Sequence, residues 1–216
     1  RRGINVLNPA LNVGDSASDA RQRFVIGYVF AIPSLHKVAN WAPDRIFGGW
    51  KLTGITTFQN GFPFDLTDSG FRSLTCDGFT FYACPDNGNQ LVPTVTTLDP
   101  RTSSFGGKPT YWFDPCSFGT TVAVCSNSAL RATLGTFGNT RRNELHGPGI
   151  NNFDFSLQKD TKITERTSFQ IGIEAFNLFN HTQFNNPTGR VNNVNFGRIT
   201  SAASGRLVQL RAKVNF

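Results

Sequence analysis

The sequence predicts an all-β chain, an antiparallel meander of about five long transmembrane strands with one long extracellular loop. Three observations point there: apolar and polar residues alternate in five segments, those segments are long, and the connections between them differ in length in a regular way. Period-2 alternation marks a strand with two chemically different faces. Segments of roughly 10 to 13 residues exceed the usual globular strand of about 5 to 6. They approach the 9 to 11 or so that cross a bilayer at a tilt.

The first strand is expected at about 21–33, where Phe24, Ile26, Tyr28, Phe30 and Ile32 share one face and Arg23, Val25, Gly27, Val29 and Ala31 the other. The second, about 48–60, sets Trp50, Leu52, Gly54, Thr56 and Phe58 against Lys51, Thr53, Ile55, Thr57 and Gln59, a weaker contrast. In the third, about 151–160, Phe153, Phe155 and Leu157 oppose Asn152, Asp154, Ser156 and Gln158. The fourth, about 166–178, sets Phe169, Ile171, Ile173 and Ala175 against Ser168, Gln170, Gly172 and Glu174. The fifth, about 206–216, is the clearest: Val208, Leu210, Ala212, Val214 and Phe216 face one way, Gln209, Arg211, Lys213 and Asn215 the other.

Alternation alone suits a soluble sandwich as well as a membrane barrel, because each covers one greasy face. Connection lengths discriminate. The link at 160–165 is short, whereas 61–149 and 180–205 are long, so long and short links fall at opposite ends. Outer-membrane barrels have that arrangement, with short periplasmic turns and long extracellular loops. The first link, 33–47, falls on the periplasmic side by parity and is long for such a turn. Trp50, Phe58, Phe62, Phe64, Phe176 and Phe179 sit near strand ends, where interfacial aromatic girdles are expected.

Composition removes several function classes. Only 38% of residues are hydrophobic and 16% charged, although Phe alone contributes 21. No apolar run approaches the 18 or so residues of a spanning helix, which excludes an all-helical membrane protein. A net charge of +7 admits nucleic acid or anionic lipid. The basic residues are dispersed, however, without the aromatic interleaving of a single-strand-binding surface, so no nucleic-acid partner is expected. A chain with no Met that opens on Arg1-Arg2 reads as a fragment of a longer one.

Cys76, Cys84, Cys116 and Cys125 all lie in the polar loop 61–149, spaced too widely for common zinc pairs. Two local disulfides in an oxidising compartment fit better, with nearest-neighbour pairing favoured among three connectivities. No metal, cofactor or catalytic site is expected. His36, His146 and His181 are isolated, and neither an H-E-x-x-H helix nor a G-x-S-x-G elbow occurs. The Gly-rich stretch 138–149 lacks the phosphate-cradling pattern. Asp154 and Glu174 fall on the polar faces of neighbouring strands. A carboxylate pair is conceivable there, but lumen-facing polar residues partnered by Arg141, Arg142 or Arg211 are the expectation.

Several runs carry a family resemblance. They are Arg21-Gln22-Arg23-Phe24-Val25, Phe47-Gly48-Gly49-Trp50-Lys51-Leu52-Thr53-Gly54 and Gln59-Asn60-Gly61-Phe62-Pro63-Phe64. Further on come Gly138-Asn139-Thr140-Arg141-Arg142-Asn143, Gly147-Pro148-Gly149-Ile150-Asn151-Asn152-Phe153-Asp154 and Glu174-Ala175-Phe176-Asn177-Leu178-Phe179-Asn180-His181. Phe196-Gly197-Arg198-Ile199-Thr200 and the terminal strand complete the series. In order and spacing the chain resembles the C-terminal barrel region of TonB-dependent receptors, especially the large Oar-like group with a carboxypeptidase-regulatory-like N-terminal domain.

The resemblance implies a barrel of about twenty-two strands, with an N-terminal plug that this chain lacks and through which alone TonB would act. It implies the outer membrane of a Gram-negative bacterium, membrane lipid as surroundings, and import of a ligand that is a siderophore, an oligosaccharide or a peptide. It also implies that the barrel-assembly machinery reads the C-terminal aromatic, so Phe216, with Val214 and Leu210 in register behind it, is the expected assembly signal. The alternative is a soluble, secreted all-β binding or adhesion module.

Overall fold

The computed structural model describes residues 5, 7–34, 43–70, 72 and 86–216. The long strands are β1 (Arg23–Ala31), β2 (Trp50–Gln59), β3 (Ile150–Lys162), β4 (Ser168–Phe176) and β5 (Leu207–Asn215). They form one sheet in sequence order, each antiparallel to the next. The five predicted strands are therefore present as the predicted meander. Four of them, at 9 or 10 residues, are at the short end of what the alternation suggested, and β3 reaches 13.

Register follows from the alternation. Phe30 pairs with Leu52, Leu52 with Leu157, Leu157 with Ile173, and Ile173 with Leu210, an apolar row across all five strands. One residue along, Thr53, Ser156, Glu174 and Gln209 form a polar row. A slip of one residue at any pairing would interchange the faces of that strand, so the pattern locks the register.

Turn chemistry ends the strands where the chain must leave the sheet. Between β3 and β4 the Thr164 hydroxyl accepts from the backbone N–H groups of Arg166 and Thr167. After β4, Asn177 (φ 52°) and Asn180 (φ 54°) take the left-handed conformation, which Asn tolerates better than most residues. Asn177 secures its turn with three bonds: its N–H donates to Asp154 Oδ1 (3.0 Å), its Oδ1 accepts from the His181 N–H (2.9 Å), and its Nδ2 donates to the His181 carbonyl (2.9 Å). Before β2, a single helical turn, α1 (Asp44–Phe47), leads into Gly49 at φ 74°, where a Cβ would strike the Asp160 carbonyl.

Residues 22–59, 150–183 and 203–216 make up this sheet unit, and 1–21, 60–149 and 184–202 make up a second compact unit. The second has little regular structure. Its pairings are two residues long: Pro63–Phe64 with Leu145–His146, Thr67–Asp68 with Asp86–Asn87, and Ser104–Phe105 with Lys108–Pro109. It is nonetheless cored. Phe64, Leu66, Phe113, Phe118, Val122, Val191 and Phe196 form one buried cluster. Phe113, Phe118 and Phe196 meet edge to face with centroids 5.2–5.6 Å apart, a favoured geometry for aromatic pairs.

Side chains replace ladders in holding the buried backbone of this unit. The hydroxyl of Thr120 donates to the Val191 carbonyl (2.5 Å), that of Thr140 to Leu66 (3.2 Å), and Asn87 Nδ2 to Thr140 (3.0 Å). Arg131 clamps the buried carboxylate of Asp68, with Nε 2.7 Å from Oδ2. Residues 184–202 are laced in through Trp112 N–H to Gly197 O (2.8 Å) and Ile199 N–H to Thr110 O (2.9 Å). Near the N-terminus, Leu11 O accepts from Arg142 N–H (2.9 Å), and Asp15 lies 3.4 Å from His146 Nε2.

Candidate functional site

The two faces of the sheet differ in chemistry. Phe24, Ile26 and Phe30 of β1 lie on the same face as Ile171 and Ile173 of β4 and Val208, Leu210 and Val214 of β5, and all are exposed. Leu210, near the middle of its strand, is 84% exposed. Contiguous apolar exposure on this scale marks a surface meant for something other than water.

Aromatic residues bracket that face. At the end from which 60–149 departs, Phe24 pairs across to Phe58, Phe58 meets Phe153 edge to face at 5.6 Å, and Phe153 meets Phe179 at 4.9 Å. At the other end stands Trp50, its indole N–H donating to Ile46 O at 3.1 Å. Eight residues separate Phe58 from Trp50 along β2, roughly 26 Å of strand. At the usual barrel tilt that projects to about 20 Å, near the apolar band of an outer-membrane barrel.

Lys159 is the charged residue in register with the apolar face, and its position explains how that is tolerated. It pairs with Trp50, its Nζ lies 5.2 Å from the indole centroid, and it donates to the Gly48 carbonyl at 2.6 Å. The charge is thus carried toward the strand end, where a long cationic side chain reaches an interface. Phe216, fully exposed, follows the last paired residue of β5 at the same end.

On the opposite face the polar residues join across strands. Arg211 Nη1 lies 3.1 Å from Glu174 Oε1, and Gln209 Nε2 donates to Glu174 Oε2 at 2.6 Å. Arg211 Nη2 also reaches Gln158 Oε1 at 2.7 Å, two strands away. The residue between them in register is Gly172, whose missing side chain leaves the path open. Gln170 donates to Asp160, and Asn215 to Ser168. A concavity of about 410 Å³ in the sheet is lined in part by Val29, Ile55, Asp154, Glu174 and Phe176.

The structure sorts the sequence-derived site residues. Glu174 and Arg211 are brought together, while Asp154 is occupied by the backbone of Asn177 rather than by an arginine. Arg141 and Arg142 belong to the second unit and are exposed there. Two girdle expectations fail. Phe64 is buried in the core of the second unit, and Phe176 falls on the polar face because the alternation of β4 carries it there. His181 turns its ring to Phe153 and Phe179 at the aromatic end of the sheet. Cys116 is bonded to Cys125, with Cα atoms 5.0 Å apart. Cys76, Cys84 and His36 lie outside the described residues.

Sequence reasoning missed the core of the second unit. Tyr111, Phe113, Phe118 and Phe196 are fully buried, yet no periodicity announces them because they come from irregular segments far apart in the chain. The signal that was available is the density of Phe in 60–149 and 184–202, too high for loops that remain solvated. Among the described residues no group of three His, Cys, Asp or Glu side chains is placed to hold a metal.

No curated protein and no solved structure matches the chain. An apolar face bracketed by aromatics, a polar face joined by hydrogen bonds, and a model of the outer membrane beta barrel domain family that matches residues 2–209 agree: the chain belongs to that family and is an outer-membrane β-barrel protein.

Proposed function

We propose that the chain is the C-terminal barrel region of a TonB-dependent receptor that captures a ligand outside the cell and imports it. The observation that carries this reading is the second unit. Connections that only join barrel strands need no core, yet 60–149 and 184–202 fold around a common aromatic cluster and a disulfide. A barrel whose long connections build a folded body has a surface for recognition as well as a wall. The order and spacing of the runs from Arg21-Gln22-Arg23 to Phe196-Gly197-Arg198 support the same family, a resemblance that implies a plug and a TonB-contacting segment elsewhere in the protein.

The barrel-assembly machinery would read Phe216 with Val214 and Leu210 in register behind it. An unpaired strand edge in lipid leaves N–H and C=O groups that cost several kcal/mol each, so a machine that holds the last strand until closure removes that cost. The ligand classes open to the receptor are a siderophore, an oligosaccharide or a peptide.

The test is nutrient uptake in the native bacterium. Deletion of the gene that carries this chain should abolish growth on one such nutrient supplied at limiting concentration, and deletion of TonB should do the same. Growth that needs the gene but proceeds at full rate without TonB would refute energised import. The soluble-adhesin reading would leave the apolar sheet face, including the largely exposed Leu210, in water.

A further inference from the structure

The second unit contains a cavity of about 510 Å³ lined by Phe105, Lys108, Tyr111, Val122, Val124 and Val194, together with small residues. That volume is within the range of small-molecule sites, which are characteristically apolar with a few placed polar groups. Four features of the wall point to a ligand. Val124 and Val194 are 48% and 59% exposed and form an apolar rim beside the buried Val122. Phe105 and Tyr111 meet edge to face at 5.0 Å and give the cavity an aromatic wall. Lys108 is exposed, and among the described residues no acidic side chain lines the cavity. Finally, Tyr111 is fully buried with a hydroxyl that has no hydrogen-bond partner among the described residues.

The last point is unusual. Buried hydroxyls are nearly always paired, and burial raises the Tyr111 phenol above its ordinary value, so it remains a proton donor. The Arg198 guanidinium over its ring is committed elsewhere, donating to Pro109 O at 3.0 Å and Asn195 Oδ1 at 2.7 Å. The hairpin that bears Phe105 and Lys108 turns through Gly106 (φ 56°) and Gly107 (φ 74°), a left-handed pair that suits a tight reversal.

We infer that this cavity is a binding site for a small aromatic or branched-acyl group that carries a carboxylate or comparable anion, the apolar body seated between Phe105, Val124 and Val194 and the anion met by Lys108. The aromatic wall and valine rim select the body. Lys108, with no acid beside it among the described lining residues, selects the charge, because an unbalanced Lys beside a low-dielectric surface attracts an anion and repels a cation. The inference rests on reading the second unit as the ligand-capturing part of the receptor and specifies what that part recognises.

The experiment uses the full-length protein in lipid nanodiscs and follows the ¹⁹F NMR linewidth of three probes of similar size: 4-fluorophenylacetate, neutral 4-fluorotoluene and cationic 4-fluorobenzylamine. Saturable broadening is expected for the acetate, weaker for the toluene and absent for the amine. Lys108→Glu should weaken acetate binding at least tenfold with little effect on the toluene. Val194→Trp, at an exposed rim position, should abolish both by filling the space.

Broadening that survives Val194→Trp is partition into lipid and would overturn the site. So would equal binding of the acetate and the amine, or no saturable binding of any probe. If the acetate binds as expected while uptake proves independent of TonB, the site stands and the import proposal fails. TonB-dependent uptake unaffected by Val194→Trp would mean the reverse.

Discussion

Leu210 and Gln209 are neighbours in sequence and opposites in environment. Leu210 sits in the apolar row with Ile173, Leu157 and Leu52, whereas Gln209 donates to Glu174 in the polar row. Arginine placed at each position reads out what each face meets. Leu210→Arg puts a charge near mid-depth on the lipid side and should lower folding stability in bilayers by roughly 2–4 kcal/mol. Gln209→Arg remains beside the Glu174 carboxylate and should change stability by less than about 1 kcal/mol. Denaturant titration of the protein in liposomes measures both, and equal small effects would place water on both faces. Lys159 shows how the native chain handles the same difficulty, carrying its ammonium to Gly48 and the Trp50 ring at the strand end.

At the level of elements, the five strands were legible and the second unit was not, for a physical reason. A strand between lipid and lumen repeats its chemistry every second residue, so Phe169 to Ala175 or Val208 to Val214 identify themselves. A core assembled from Phe64, Phe113, Phe118 and Phe196 has no period, and its members are joined by contacts such as Thr120 to Val191 that only the fold reveals. Sequence words whose purpose was obscure become turn chemistry: the Asn177-Leu178-Phe179-Asn180-His181 run is a pair of left-handed asparagines and a side-chain clamp after β4. The glycine of the fourth strand, Gly172, leaves the passage for Arg211 to Gln158. The Cys116–Cys125 bridge encloses Phe118 and Val122, members of the second unit's core. Replacing both cysteines by serine should lower that unit's stability by roughly 2–3 kcal/mol. Limited proteolysis should then cut within 60–149 faster, while 150–183 stays protected.

For the whole molecule, membrane residence settles several features at once. Among the described residues β1 and β5 are the outer strands of the sheet, and a strand edge left unpaired in lipid would carry backbone groups that lipid cannot satisfy. The apolar face, costly in water by about 25 cal/mol per Å², is suited to lipid, and Glu174, Arg211 and Gln158 are joined on the opposite, polar face. Phe24, Phe58, Phe153 and Phe179 lie at one end of the apolar face and Trp50 with Lys159 at the other, the placement expected of residues at two membrane interfaces.

The most direct test is alkaline carbonate extraction of outer membranes from the native bacterium, followed by electrophoresis of the retained protein with and without boiling. The account predicts that the protein carrying this chain stays in the membrane pellet and migrates faster unboiled than boiled, as a closed barrel that resists detergent until heated. Release into the carbonate supernatant, with mobility unaffected by heat, would contradict it.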